Sequence, residues 1–177
     1  MLSRLFFIMM ITAFASIRAN AQEVSAIRPS PLAIASMKYK DAYVKIVYSQ
    51  PRKKGRSVFG GLVPYGKVWR TGANEATEIT ITKDITVNSI LLRAGNYSLF
   101  TIPNKEKWTV IINSELGLWG AYNYNQKLDV IRFDVPVQKT TNTSEAFSII
   151  CEAKNNVADI LISWDDVQLS IPVKFLN

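Results

Sequence analysis

The chain has no histidine, and it has one cysteine in 177 residues. The first absence removes Ser-His-Asp and Cys-His catalysis and any metal centre held through imidazole. The second removes internal disulfides and multi-thiolate metal sites, so the fold stands on packing alone. G-x-G-x-x-G and P-loop patterns are missing, as is a dense Asp/Asn loop for calcium. Repeats and low-complexity tracts are also absent. No window of helical length carries apolar residues at i, i+3, i+4 and i+7. No cofactor and no metal is therefore expected. Hydrolysis by two carboxylates facing across a cleft remains open, and Glu75, Glu78, Glu106, Glu115, Asp129 and Asp134 are available for it.

What is present begins with an address. Arg4 is followed by the apolar stretch Leu5–Ile17 and by Ala19-Asn20-Ala21, the three parts of a cleavable signal peptide over residues 1–21. Thirteen residues are too few to cross roughly 30 Å of hydrocarbon as a helix. No cysteine follows the cleavage point, which excludes a lipoprotein, and no later run is long enough for a transmembrane helix. The expectation is an exported protein, periplasmic or secreted. Removing 21 of 177 residues leaves 156, one domain's worth, and with Arg4 and Arg18 gone the net charge falls from +7 to +5. Residues 22–30 read as a short tether and 31–177 as a single domain. An exported protein of modest positive charge is not expected to meet nucleic acid. Its densest basic cluster, Arg52-Lys53-Lys54-Gly55-Arg56, reads as a contact for anionic polysaccharide, lipid head groups or phosphate, or as a solvated loop that keeps a sheet edge from pairing. The second reading is preferred.

Period two dominates after Ser36. Ile79 and Ile81 alternate with Glu78, Thr80 and Thr82, and Ile131, Phe133 and Val135 alternate with Arg132 and Asp134. Phe147, Ile149 and Cys151 share one face, which makes Cys151 a small core hydrophobe and not a reactive thiol. Val167, Leu169, Ile171 and Val173 repeat the pattern, with Pro172 on the outward phase, as at an edge strand or a strand end. Turn signals at Ala94-Gly95-Asn96, Pro103–Glu106 and Asn155-Asn156 separate these runs. The reading is an all-β chain of about nine or ten strands joined mostly by hairpins. It fits a single antiparallel β-sandwich, jelly-roll or immunoglobulin-like, or alternatively a partly closed barrel.

Two loops carry candidate chemistry. The stretch Phe59–Thr77 (FGGLVPYGKVWRTGANEAT) holds four of the eight glycines. Gly60, Gly61 and Pro64 are expected to shape a crossover, with Trp69 as a structural anchor. Arg70 supplies a rigid fork of donors and Asn74 and Glu75 supply acceptors, which together suit a polar ligand held against Trp69. The alternative is structural, with Arg70 paired to Glu75 or Asp129 and no ligand at all. The second loop, Leu118–Asn125, interleaves Trp119, Tyr122 and Tyr124 with amides. Ring faces stack on sugar C–H patches and amides bond hydroxyls, so this loop is either a sugar-binding surface or a lid over the sandwich. Trp119, Tyr122, Tyr124 and Asp129 complete the ligand-binding candidates.

These residues also resemble a known family. Gly55-Arg56, Phe59–Gly66, Val68–Asn74 and Ala76-Thr77 are similar to the hallmark of domain of unknown function 2911, exported proteins mostly of Bacteroidetes-type bacteria. Ala94-Gly95, Tyr97–Pro103 and Trp108–Ile111 resemble its second block, and Trp119-Gly120, Tyr124, Asp129 and Arg132 its third. The resemblance runs from about Ser30 to Phe175 and departs at Arg93, where the family often carries proline. It implies an exported all-β domain and brings no catalytic residues. The expected function is a non-enzymatic binding or interaction module of the cell envelope, for glycan, another polar component or a protein. The alternatives are a glycosidase-like hydrolase with paired carboxylates and a structural or assembly subunit.

Overall fold

The alternation in the sequence resolves into ten strands in a computed structural model that describes residues 28–176. The expected signal peptide, and residues 22–27 of the expected tether, lie outside the described residues. Strands β1 (Leu32–Tyr39), β2 (Ala42–Ser49), β3 (Thr77–Ile81), β6 (Gly95–Ile102), β7 (Lys107–Asn113) and β8 (Asp129–Pro136) form one sheet in the order β1-β2-β3-β6-β7-β8. Strands β4 (Ile85–Val87), β5 (Ile90–Leu92), β9 (Gln138–Lys154) and β10 (Val157–Phe175) form the other, ordered β5-β4-β10-β9. All strand pairings are antiparallel. The result is a two-sheet all-β structure consistent with a sandwich and not a closed barrel.

Alternation places the core. From the first sheet Val44, Ile46, Ile79, Leu99, Trp108, Val110 and Phe133 point inward, and from the second Phe147, Ile149, Ile160, Ile162, Leu169 and Ile171 meet them. Cys151 packs against the edge of this core, and burial pushes its thiol up to about 11, as expected for an inert side chain. Phe100 and Ile111 break the pattern. They lie on the outer face of β6 and β7 yet are fully buried, in a second small cluster with Ala76 and Leu118. A strand that is apolar on both phases needs cover on both faces, and the loop after β7 supplies it.

Strand β10 doubles back on itself. Nineteen extended residues would reach about 60 Å, yet the Phe175 N–H donates to the Asn156 carbonyl at 2.8 Å, so the two ends meet. The corner lies at Asp165, whose φ is 55°, and the buried phase shifts there from Ala158, Ile160, Ile162 and Trp164 to Val167, Leu169 and Ile171. Ser170 Oγ reaches Asp159 Oδ1 at 2.7 Å across the fold. Pro172 lies on the exposed phase of β10, just before the residues that pair with β4. It lies three residues from the end of β10, which is an interior strand flanked by β4 and β9.

The basic loop after β2 pairs through its backbone with β9, an edge strand of the second sheet. Arg52 bridges to Ala146 of β9, Lys53 N–H donates to the Glu145 carbonyl, and Phe147 N–H donates to the Pro51 carbonyl. Lys53 also forms a half-buried ion pair with Asp165.

Candidate functional site

Three loops meet around one cleft, and each is built by a different local device. The first is an excursion from a strand lane. Trp69 pairs with Thr101 of β6 through bonds of 2.7 and 3.0 Å, and pairing resumes where Thr77 faces Leu99. Between them residues 70–76 leave the sheet, closed at the neck by Thr77 N–H donating to the Arg70 carbonyl at 3.1 Å. Two residues of the excursion have left-handed backbones, Thr71 (φ 54°) and Asn74 (φ 56°). Asparagine tolerates this, whereas a β-branched threonine is strained by roughly 1–3 kcal/mol. A buried network holds Thr71 in place, with its Oγ1 3.1 Å from Thr101 Oγ1 and its carbonyl accepting from Thr77 Oγ1 at 2.7 Å. Gly72 passes close to β2, where a Cβ would sit 2.9 Å from the Ser49 carbonyl oxygen. The Gly72 carbonyl accepts from the Trp69 indole N–H at 3.0 Å.

The second loop is the tight knot Ser57–Val63. Leu62 N–H donates to Ser57, while Gly61 and Val63 N–H both donate to Val58. At Gly60 (φ 85°) a Cβ would lie 2.7 Å from the Tyr65 ring, so the glycine makes room for the ring as well as for the backbone. Pro64, next along, faces the cleft.

The third loop is the aromatic segment after β7. Its backbone is laced to the excursion by a Glu75–Trp119 bridge, Ala76 N–H to the Leu118 carbonyl at 2.9 Å, and Gly120 N–H to the Asn74 carbonyl at 3.0 Å. The two segments singled out in the sequence are therefore neighbours. Leu118, Ala121 and Tyr124 cover Phe100 and Ile111, while Trp119 and Tyr122 remain 60% and 84% exposed. The loop is a lid on one side and an aromatic surface on the other.

The cleft between these loops holds about 520 Å³. Trp69 and Trp164 line it and stack at 6.0 Å with 19° between their planes, and both are deeply buried. Trp69 is thus both the expected anchor and a wall of the site. Pro64 and Val68 add apolar wall, Asn74 and Ser30 polar wall, and Arg56, Lys67 and Arg70 positive charge. No Asp or Glu lines it.

Arg70 is the unusual member. It is half-buried, its Nε has neither solvent nor a hydrogen-bond partner, and among the described residues its guanidinium forms no ion pair. Burial lowers its pKa, with nearby Tyr122 acting weakly the other way. The structural alternative, pairing with Glu75 or Asp129, is not what the structure contains. Arg28 holds Glu75 instead, with Nη1 at 2.7 and 2.9 Å from its two carboxylate oxygens. The Glu75 backbone N–H, followed by Arg28, depresses that carboxyl's pKa. Asn74 Nδ2 reaches the Ser30 carbonyl and Ser49 Oγ, each at 3.4 Å, so the chain from Arg28 to Ser30 is strapped along the cleft.

Tyr124 and Asp129 belong elsewhere. Asp129, its side chain only 10% exposed, accepts from Asn113 Nδ2 at 2.9 Å, Tyr124 Oη at 2.7 Å and Arg132 Nη1 at 3.2 Å. Burial and the Asp129 hydrogen bond push the Tyr124 phenol up to about 12. The Tyr124 ring packs on Phe100 at 5.2 Å. Of the sequence candidates, the structure brings Arg70, Asn74 and Tyr122 together at the cleft. It places Trp119 on the adjoining loop, Glu75 in a neighbouring depression, and Tyr124 and Asp129 in a closed network. Sequence reasoning missed Lys67, Ser30 and Trp164 as cleft residues, although Lys67 was visible as a charge within the glycine-rich stretch. Arg56 reads in the sequence only as part of the basic cluster, for which the solvated-loop reading is preferred.

That neighbouring depression, of about 230 Å³, is lined by both Glu75 and Glu78. Each carboxylate is committed there, Glu75 to Arg28 and Glu78 Oε1 to the Gly117 N–H at 3.0 Å. Among the described residues, no group of three His, Cys, Asp or Glu could hold a metal ion, and no helix is long and apolar enough to cross a membrane.

Fold and site together define a class, two-sheet all-β domains with a cationic cleft bordered by an aromatic loop. The particular assignment follows from the sequence that builds the cleft. The family model described as protein of unknown function (DUF2911) matches residues 30–173, and the chain belongs to that family. No curated protein and no solved structure matches the chain.

Proposed function

We propose that the protein is a non-enzymatic binding module of the cell envelope, exported by its N-terminal leader, and that its cleft holds a glycan or another polar envelope component. One observation carries this reading: Arg70 lines the cleft half-buried, and among the described residues its guanidinium forms no ion pair. A buried, unsatisfied charged group costs stability unless a partner completes it, and no described residue does so. The strained Thr71 next to it supports the same reading, since backbone strain concentrates where a site must be held in shape. A carboxylate-pair hydrolase is less favoured, because no acidic residue lines the main cleft and both carboxylates of the smaller depression are already bonded. The test is a glycan array together with an envelope pull-down using the folded protein. Specific capture that disappears in Arg70→Met supports the proposal. No capture in either format by a protein that remains folded overturns it.

A further inference from the structure

The charges around the cleft say what kind of group completes it. Ion pairs balance its surroundings, Lys53 with Asp165 and Arg28 with Glu75. Inside the cleft the balance stops. Arg56, exposed at the rim, donates Nε to the Lys53 carbonyl at 2.8 Å and Nη2 to the Arg52 carbonyl at 2.7 Å and forms no ion pair among the described residues. Neither Lys67 nor Arg70 forms an ion pair or side-chain hydrogen bond among the described residues. Three cations, Arg70 half-buried and Arg56 and Lys67 exposed, thus line one concavity whose lining includes no carboxylate. A guanidinium is matched by a carboxylate or phosphate, which takes its fork of donors in two parallel bonds.

The remaining lining constrains the body that carries this anion. At about 520 Å³ the cleft has the size of a small-molecule site and not of a protein-docking face. The Tyr122 ring, which lies along Gly120 and is 84% exposed, borders the cleft, and the Asn74 side chain lines the same space. A flat ring face beside an amide suits a body that alternates C–H patches with hydroxyls. We propose that the cleft binds an acidic saccharide, whose carboxylate or phosphate is taken by Arg70 with Arg56 and Lys67 in support and whose ring lies on Tyr122. This rests on the reading of the cleft as the binding site and adds the ligand's charge and body.

The experiment is a calorimetric titration of the protein, in the form the cell produces, with four probes. These are a galacturonic acid trisaccharide, a phosphorylated hexose, the neutral galactose trisaccharide and inorganic phosphate. One of the two acidic sugars should bind at least about tenfold more tightly than the neutral one, and added salt should weaken it. The acidic sugar that binds more tightly identifies the anion. Arg70→Met should lower that affinity about tenfold to hundredfold, the range of a charged hydrogen bond, while Arg70→Lys recovers part of it. Tyr122→Ala should cost a smaller factor with the fold intact.

Equal affinity for the neutral and acidic trisaccharides, unchanged in Arg70→Met, overturns the acidic-ligand proposal and leaves the binding module standing. Binding of inorganic phosphate at Arg70 with neither acidic sugar bound overturns the saccharide. Failure of all four probes overturns this inference, whereas the binding-module reading falls only with the array and the pull-down.

Discussion

Two regions of this molecule combine an arginine with tyrosine and asparagine, and they treat the charge in opposite ways. At Asp129, one carboxylate gathers Asn113, Tyr124 and Arg132 in a single closed set of bonds. Around Arg70, the same residue types surround a guanidinium that no carboxylate meets. The first arrangement holds the end of β8 to the lid loop. The second sets a guanidinium without an internal partner beside the strained backbone of Thr71. The difference teaches that residue composition does not distinguish a strut from a site; what distinguishes them is whether each polar group's partners are already inside the protein.

The most forceful way to break this comparison is to remove the carboxylate from the closed set. Asp129→Ala should cost about 2–4 kcal/mol in urea denaturation, because it strands three buried or half-buried partners at once, and it should leave cleft binding unchanged at a temperature where the variant is folded. Next in size is Thr71→Val. It keeps the left-handed β-branched residue but leaves the buried Thr101 hydroxyl unpaired, a loss of about 1–3 kcal/mol, whereas Thr71→Ser should stay within about 1 kcal/mol. Tyr124→Phe should cost about 1 kcal/mol, one hydrogen bond's worth. An ultraviolet titration should show that this variant lacks a phenol that ionises only near pH 12. The sign follows from the raised folded value: the phenol's contribution is complete below the ordinary tyrosine range and is lost as pH rises through about 12.

Arg70→Met sharpens the comparison from the other side. Since the guanidinium has no internal partner, its removal should leave the unfolding free energy within about 1 kcal/mol of the parent, or raise it. A large loss of stability would show that Arg70 is a strut after all. The smallest effect concerns the Arg28–Glu75 strap. Glu75 has a folded pKa below its unfolded value, so the strap is fully present above the unfolded value and released as pH falls through the folded one. Amide exchange at Arg28 and Ser30 should therefore show faster opening in acid before the β-core responds, and Glu75→Gln should abolish that step.

Much of the fold was legible in the sequence. Alternation named the inward residues of β3, β8 and β9, whereas the corner at which β10 turns back was not read from the sequence. Strand order was not legible, because alternation says which face is buried and not which strand lies beside it. The apolar pair Phe100 and Ile111 had no reading until the lid loop was placed over the outer face. Of the candidate site, Arg70, Asn74 and Tyr122 were legible by residue type, and the structure brings them to one cleft. The pairing was not legible, since Glu75 next to Arg70 in the excursion and Asp129 across the sequence looked like equally good partners. Arg28, far outside the glycine-rich stretch, takes the first of these, and only the backbone path of residues 28–30 brings it there.

The doubled β10 bears on how such a chain acquires its structure. Apart from the short β4 and β5, the second sheet is made of residues that follow Gln138, while the first sheet is complete at Pro136. A chain emerging N-terminus first therefore presents the inner face of a finished sheet, Trp108, Val110 and Phe133 included, before the sheet that covers it is joined up by β10. A chain cut near Asn156 would lack the strand that links β4 to β9, and that apolar face would be left only partly covered and prone to stick to other chains.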